Sequence, residues 1–184
     1  MMERKNKLFM SGTLKDFFIR KEAKLLRELE NYGTQDIGEK EIKQLVNKHS
    51  LESPKLFGEE SISQEPIDMD GSMLDSDDEF EFDPEPNVPI RGVKTTVKIP
   101  FSGESELFSY VPNEYDLIRP IGIIAGGELH LTYQTPSNNP DRYKKVHQEN
   151  IEIIKRYLPR VEKDVKSYNE SLESLIRKNI KQRR

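Results

Sequence analysis

The sequence predicts an α+β protein that consists of an N-terminal helical hairpin, a disordered acidic linker, a small antiparallel sheet and a long C-terminal amphipathic helix. Three observations predict this fold class. Apolar residues recur at helical intervals near both ends of the chain, and they alternate with polar residues from Val93 to Phe101. Between Gly58 and Pro86 there is no lysine or arginine, whereas twelve residues are acidic. We therefore divide the chain into four regions, 1–57, 58–86, 87–140 and 141–184.

Composition limits the size of any hydrophobic core and excludes several classes of site. Hydrophobic residues make up 34% of the 184 residues and charged residues another 34%, whereas an ordinary globular domain is roughly 45–50% apolar and about 25% charged. A single core along the whole chain is therefore not expected. The chain has no cysteine, which excludes disulfides, thiolate metal sites and a thiol nucleophile. Since no apolar run of about 18 residues occurs, we expect a cytoplasmic protein that does not bind a membrane.

Two helices are predicted in the first region. The first extends from about Thr13 to Asn31, because Thr13 and the acidic residue three positions later have the spacing of a capping box, and apolar residues follow at helical intervals. Gly33 then provides a C-terminal stop. The second, shorter helix extends from about Gly38 to His49. Each helix has one apolar face, so we expect the pair to form a helical hairpin.

The acidic region 58–86 interleaves its carboxylates with large apolar side chains and contains three prolines. It cannot bury enough apolar surface to offset the entropy lost on ordering, so we expect it to be disordered in the isolated chain. One interpretation is a solvated linker. Another is a docking segment, whose phenylalanines bind in a groove while its carboxylates pair with basic residues of this chain or of a nucleic-acid-binding partner. The predicted docking residues are Asp75, Asp77, Asp78, Glu79, Phe80 and Phe82.

The third region predicts three or four antiparallel strands. The alternation from Val93 to Phe101 indicates a strand with one buried face, and Pro100 favours the edge of a sheet. A second short strand is expected over residues 106–111. A hairpin centred on Gly126-Gly127 completes the sheet, because glycines suit the positive φ angles of a tight turn. Such a sheet has one apolar face that a helix must cover.

The last region predicts one long helix, because it contains no glycine after the plausible N-cap Asp141. Pro159 should kink this helix. Its apolar residues follow the alternating three-four spacing of a heptad repeat for over three heptads. Two alternatives remain open: this stripe either packs within the chain, over the sheet and the N-terminal helices, or forms a coiled coil with a second copy. As a predicted partner interface, the stripe comprises Ile151, Ile154, Leu158, Val161, Val165, Tyr168, Leu172 and Leu175.

The predicted helix carries a basic tail. Cations at a helix C-terminus interact favourably with the helix dipole, and they are also suited to bind phosphate groups or an acidic partner. The tail residues are Arg177, Lys178, Lys181, Arg183 and Arg184.

No pattern in the sequence predicts an active site. The histidines His49, His130 and His147 are scattered, and none has carboxylates at metal-ligand spacing. No Gly-x-Ser-x-Gly motif is present, and Gly126-Gly127 lacks the spacing of a phosphate-binding loop. We therefore expect no catalytic residue, no metal and no cofactor, and we predict that the chain is not an enzyme.

One stretch carries a resemblance to known proteins. Residues 99–112 include the pattern PFxGxxELFxYxP, which resembles a motif of a group of bacterial proteins. In those proteins the motif follows a short helical region and precedes a long basic helix, and some continue into a TIR or nuclease effector domain. The resemblance implies an accessory or sensing module of a bacterial defence or conflict system, acting beside an effector on another chain.

These observations favour a non-enzymatic adaptor or regulatory subunit of a bacterial protein complex, which acts through the stripe, the acidic docking segment and the basic tail. Its partner is expected to be a protein or a second copy of the chain. The less favoured alternative is a nucleic-acid-binding accessory protein, with the acidic region as an internal competitor. That alternative uses the basic tail together with Lys144, Lys145, Arg156 and Arg160.

Overall fold

The computed structural model of the chain describes residues 7–32, 37–70 and 89–182. It contains both helices and strands, which confirms a mixed fold with N-terminal helices, a small antiparallel sheet and a long C-terminal helix. The helices are α1 (Leu14–Asn31), α2 (Glu39–His49) and α3 (Tyr143–Gln182), and the strands are β1 (Lys55–Leu56), β2 (Ser61–Asp70), β3 (Pro89–Ser102), β4 (Ile123–Ala125) and β5 (Glu128–Pro136). Short 3-10 helices occupy Ser105–Ser109 and Pro140–Arg142.

The first helix begins after its predicted capping residue Thr13, and the second begins after Gly38, where its start was predicted. The Thr13 hydroxyl accepts a hydrogen bond from the backbone N–H of Asp16 at 3.1 Å and donates to the Asp16 carboxylate at 2.7 Å. Gly38 precedes α2, and its N–H donates to the Glu41 carboxylate at 3.1 Å. These contacts satisfy backbone donors that a helix N-terminus leaves free. The predicted stop Gly33 lies outside the described residues.

The sheet is centred on β3, so the edge position that Pro100 favoured for this strand is wrong. This strand pairs with β2 from Pro89 to Lys98 and with β5 from Gly92 to Pro100, and β4 pairs with β5. The strand order is therefore β2-β3-β5-β4, with every pair antiparallel, while β1 pairs with the last two residues of β3. The predicted β4–β5 hairpin is confirmed, and Gly126 and Gly127 have φ angles of 59° and 80° in its turn.

Part of the predicted disordered linker is a strand, so the prediction for 58–86 is wrong over Ser61–Asp70. An edge of β3 supplies backbone partners along the whole of β2, and Lys94 pairs with Glu65 at 2.9 Å. Met69 is buried against Gly92, where a Cβ atom would collide with the Met69 sulfur. The rest of the predicted linker, residues 71–86, lies outside the described residues.

The strand predicted for residues 106–111 is also wrong. Ser105–Ser109 form a 3-10 helix instead. Leu107 and Phe108 are adjacent in sequence and both fully buried. Neighbouring side chains in a strand point to opposite faces, so a strand on the surface of the core could not bury both.

Helix α3 is continuous from Tyr143 to Gln182 and includes Pro159. It begins two residues after its predicted N-cap, because Asp141 belongs to the 3-10 helix that precedes α3. Asp141 instead pairs with the Lys144 ammonium at 2.9 Å.

Two extended segments flank α3, and both run antiparallel to it. The first, the 51–60 segment, contacts Asn169 at its start and His147 at its end. The Asn169 side chain exchanges two hydrogen bonds of 2.9 Å with the backbone of Leu51, and His147 Nε2 lies 3.0 Å from Glu60 Oε2.

The second, the 113–121 segment, contacts Asp164 at its start and Asn150 at its end. The two segments and the sheet enclose the first two-thirds of α3. Beyond them, α1 and α2 cover the last third, where Leu172 and Ile176 are fully buried.

Candidate interaction surface

The apolar stripe of α3 packs within the chain, which is one of the two alternatives that its spacing left open. Six of its residues are buried in the core of the single chain, and the other two, Leu158 and Leu175, pack partly buried against the same core. The stripe is longer than the sheet, and α1 and α2 cover the remainder. Its side chains are therefore not presented to a partner in this structure. The buried six are Ile151, Ile154, Val161, Val165, Tyr168 and Leu172.

The other two predicted surfaces are only partly visible. All six acidic docking residues lie outside the described residues, as do Arg183 and Arg184. In the described part of the tail, Arg177 makes two hydrogen bonds of 2.6 and 2.7 Å to Glu39 and also pairs with Glu173. These carboxylates raise the pKa of the Arg177 guanidinium above its ordinary value. Lys178 and Lys181 are exposed.

The three histidines lie apart, and each is paired with a carboxylate. His49 lies 3.0 Å from Glu28, and His130 lies 3.1 Å from Glu128. Across residues 7–32, 37–70 and 89–182, no group of three or more metal-type side chains converges on one point.

The third histidine belongs to a chain of hydrogen bonds between the sheet and α3. His147 Nδ1 lies 3.0 Å from the Tyr133 hydroxyl, His147 Nε2 lies 3.0 Å from Glu60, and Asn150 donates to Tyr133 at 3.4 Å. A carboxylate, an imidazole and a hydroxyl in this order resemble an activated nucleophile. However, burial raises the pKa of Tyr133 to about 12, and activation requires the opposite shift. The chain of bonds therefore ties the end of the 51–60 segment to the helix.

The 113–121 segment is anchored at its start by a buried carboxylate. Asp164 is 9% exposed, and its two oxygens accept hydrogen bonds of 2.8 and 2.9 Å from the backbone and side-chain nitrogens of Asn113. The next residue of the segment, Glu114, accepts a hydrogen bond from the Lys163 ammonium at 2.5 Å. That contact lowers the pKa of Glu114 below its ordinary value.

The middle of the 113–121 segment is held by a buried tyrosine. The hydroxyl of Tyr157 donates to the carbonyl oxygen of Asp116 at 2.7 Å and lies 3.2 Å from that of Ile118. Arg119 donates to both the Asp116 carbonyl and the Tyr157 hydroxyl. The ring of Tyr157 is fully buried and stacks on Phe9 at 4.6 Å. The core of the protein thus fixes the position of these carbonyl groups.

The end of the segment is held in the same way, through its carbonyl oxygens. Pro120 accepts a hydrogen bond from the backbone N–H of Leu8 at 3.0 Å, and Ile121 accepts one from the Asn150 side chain at 3.1 Å. Lys7 forms an isolated β-bridge with Ile121.

With its carbonyl groups turned inward, the segment turns large apolar side chains outward. Leu117 is 92% exposed and Ile118 is 61% exposed, and Ile123 of the following strand β4 is 48% exposed. We call this surface the apolar ridge. It comprises Tyr115, Leu117, Ile118, Ile121 and Ile123. Single exposed apolar residues are ordinary, but contiguous apolar patches commonly mark interaction sites.

Sequence reasoning missed the apolar ridge. Residues 115–120 have neither a helical nor an alternating pattern of apolar residues, so the sequence predicts no element there, and Ile121 is predicted only as the start of the β4–β5 hairpin. A signal was nevertheless present, since four large apolar residues lie within seven positions of a stretch that also contains a proline. Loops are usually polar at their surface, so this composition could have indicated an interaction surface.

Comparison of the chain with protein-family models, with curated proteins and with solved structures finds no match. The resemblance carried by residues 99–112 therefore stays a prediction. In the part of the chain that the structure describes, no helix has the length and apolar character needed to span a membrane.

Proposed function

We propose that the protein is a non-enzymatic adaptor or regulatory subunit that contacts a partner protein through the apolar ridge. The observation that carries this proposal is the exposure of Leu117 and Ile118 on a segment whose backbone is fixed by Tyr157 and Asp164. The proposal differs from the sequence prediction in the surface used, because the stripe of α3 is occupied by the chain's own core. The expected setting, a bacterial defence or conflict system, rests on the resemblance alone.

The energetics of association favour such a surface. Burying apolar area contributes about 25 cal/mol per Å², but association also has an entropic cost that rises when a flexible loop must be ordered. The hydrogen bonds from α3 already order the 113–121 segment when the protein folds. Binding a partner therefore does not require this entropy to be lost again. Hot spots in protein interfaces are commonly a few large side chains near the centre of the contact, and Leu117 with Ile118 have this arrangement.

The alternative of nucleic-acid binding has weaker support. Lys144 is paired with Asp141, and Arg177 is paired with Glu39. A shallow depression near the end of α3 is lined only by residues of that helix, and two of these are glutamates. A phosphate backbone is bound best by a continuous basic surface, and carboxylates interrupt this one.

The test is affinity purification from the native source with three forms of the full chain. The first is the wild type, the second carries Leu117→Ser and Ile118→Ser, and the third carries Ile19→Ser as a control. Ile19 is 53% exposed on α1, away from the ridge. Partners captured by the wild type are identified by mass spectrometry, purified, and titrated against each form.

We expect the double variant to bind the purified partner at least about tenfold more weakly, since two central apolar contacts are lost. The Ile19→Ser control should match the wild type. Circular dichroism should show that all three forms are equally folded. A partner that binds the double variant and the wild type with the same affinity would contradict the proposal.

A further inference from the structure

A cluster of arginines borders the apolar ridge. Arg160 Nη1 lies 3.3 Å and Arg156 Nε lies 3.9 Å from the carboxylate of Asp116, and Arg119 belongs to the ridge segment itself. We call Arg119, Arg156 and Arg160 the arginine cluster. Arg156 and Arg160 face the carboxylate of Asp116, and Arg119 donates to the backbone carbonyl of the same residue. The three arginines and this one aspartate together have a net charge of +2.

The arginine cluster retains capacity to bind another anion. Each guanidinium has five N–H donors, and Asp116 supplies only two carboxylate oxygens. Arg160 Nη1 is buried 3.3 Å from Asp116, but the Arg160 side chain as a whole is 28% exposed. The side chain of Arg156 is 56% exposed. The cluster is thus an incompletely satisfied basic site beside an apolar surface.

Tyrosine rings hold two of the guanidinium groups in place. The Arg119 guanidinium carbon lies 4.7 Å from the centroid of the Tyr115 ring, and that of Arg160 lies 5.8 Å from the centroid of Tyr157. Stacking of this kind leaves the edges of a guanidinium free to donate to carboxylates. Less side-chain entropy is then lost when an anion binds.

We infer that the apolar ridge and the arginine cluster together bind an acidic segment of the partner protein, in which carboxylates are interspersed with large apolar side chains. The carboxylates pair with Arg156 and its neighbours, while the apolar side chains cover Leu117 and Ile118. This inference rests on the proposed function, because it assigns the chemistry of the partner at the same ridge. A nucleic acid fits less well, since its sugar-phosphate backbone offers no apolar side chains to cover the ridge.

The inference is tested with a fluorescent synthetic peptide, SMLDSDDEFEFDPEP, which copies residues 72–86 of the chain and has the required chemistry. Its binding to the full-length protein is measured by fluorescence anisotropy at low salt, about 50 mM, where exposed charges are weakly screened. Every protein form, including the one with the wild-type ridge, carries Phe80→Ser and Phe82→Ser, so that the chain's own copy of residues 72–86 competes only weakly with the peptide. The protein variants are Arg156→Glu and Leu117→Ser. The matched control is Lys166→Glu, which makes the same charge change at another exposed position of α3.

We expect the wild type to bind the peptide and both Arg156→Glu and Leu117→Ser to weaken binding by about tenfold or more. Lys166→Glu should stay within about twofold of the wild type, because it lies outside the cluster. A peptide with both phenylalanines replaced by serine should bind as weakly as the wild-type peptide binds Leu117→Ser. A single-stranded oligothymidylate should not compete.

Three results would overturn the inference: no peptide binding by the wild type at low salt, equal effects of Arg156→Glu and Lys166→Glu, or competition by the oligothymidylate. The failures of the two proposals are distinguishable. If the double variant of Leu117 and Ile118 loses the native partner but the peptide does not bind, the ridge is an interface and the acidic chemistry is wrong. If neither experiment responds to the ridge variants, both proposals are wrong.

Discussion

The two segments that flank α3 pack differently: the 51–60 segment turns side chains towards the core, whereas the 113–121 segment turns backbone carbonyl oxygens inward. In the 51–60 segment, Leu51, Ser53 and Pro54 are buried, so side chains face the core, and Phe57 is its one strongly exposed large apolar residue. In the 113–121 segment, carbonyl oxygens face α3 and the large apolar side chains face solvent. Both segments have the same direction relative to the helix, yet one contributes apolar burial to the fold and the other displays apolar surface.

This difference concerns what each segment contributes to the stability of the fold. Apolar side chains that are buried stabilise the folded state, whereas apolar side chains that stay exposed contribute nothing to it until a partner covers them. The 113–121 segment obtains its fixed position from hydrogen bonds to Tyr157, Asp164 and Asn150. Its exposed apolar side chains are therefore not needed to hold the segment in place.

The largest expected effect is a difference in stability between two variants, each of which truncates one leucine in one of the two segments. Leu51→Ala should lower the free energy of unfolding by about 2–3 kcal/mol, because it leaves a cavity in the core. Leu117→Ala should change it by less than about 0.5 kcal/mol, because the side chain is exposed. Urea denaturation of both variants measures the difference. Equal losses of stability would show that the two segments play the same part in the fold.

A smaller effect is expected for Tyr157→Phe, which removes the hydroxyl that holds Asp116 and Ile118. The free energy of unfolding should fall by about 1 kcal/mol, the usual contribution of a hydrogen bond. The variant should also be cleaved faster by chymotrypsin within 113–121, since the freed segment can enter the protease. Cleavage within 51–60 serves as the internal control. An unchanged pattern of fragments would mean that the hydroxyl does not hold the segment.

Alkaline pH should lower the free energy of unfolding through Tyr133 and Tyr168, which lie on the side of α3 where the 51–60 segment packs. Burial raises the pKa of both Tyr133 and Tyr168 to about 12 from an ordinary value of 10.0. The folded state therefore holds these protons more tightly, so their contribution is fully present below pH 10 and is lost as the pH rises towards 12. Urea midpoints measured across this range should fall with pH.

The control for the alkaline effect is the variant with Tyr133→Phe and Tyr168→Phe. Phenylalanine does not titrate, so the fall in stability between pH 10 and 12 should be shallower than in the wild type. If the wild type and the variant lose stability with the same slope, the two tyrosines do not couple to folding.

The smallest effect is expected at the exposed ion pair of the 113–121 segment. The hydrogen bond from Lys163 lowers the pKa of Glu114, so any stabilisation is present above the ordinary pKa and is lost as the pH falls through the lowered value. Both side chains are mostly exposed, and such pairs contribute little. Nuclear magnetic resonance titration should detect the lowered pKa, and Lys163→Met should return it to its ordinary value without a measurable change in stability. A large loss of stability would assign this pair a structural role.

Local signals in the sequence predicted most of the elements. The Thr13 cap, the Gly126-Gly127 turn and the alternation along β3 each depend on residues close together in the chain. The three-four spacing of α3 correctly indicated a long amphipathic helix. It could not decide between burial within the chain and pairing with a second copy, because both bury the same stripe.

Contacts between distant residues account for what was missed. The acidic composition of β2 indicated disorder, but Glu65 pairs with Lys94 and Met69 packs against Gly92, both on β3. The apolar ridge depends on hydrogen bonds from Tyr157 to Asp116, 41 positions earlier in the chain. No local pattern encodes such a contact. The apolar composition of residues 115–121 could therefore indicate an interaction surface, but not that the backbone beneath it is held in place.

The central claim is that the 113–121 segment is held rigidly while its apolar side chains remain exposed. Backbone ¹⁵N relaxation of the free protein tests this most directly. We predict order parameters of about 0.85, the value of a rigid backbone, for residues of both the 51–60 and the 113–121 segments. Values below about 0.6 confined to 113–121 would contradict the account, because the segment would then be a flexible loop and not a preformed surface.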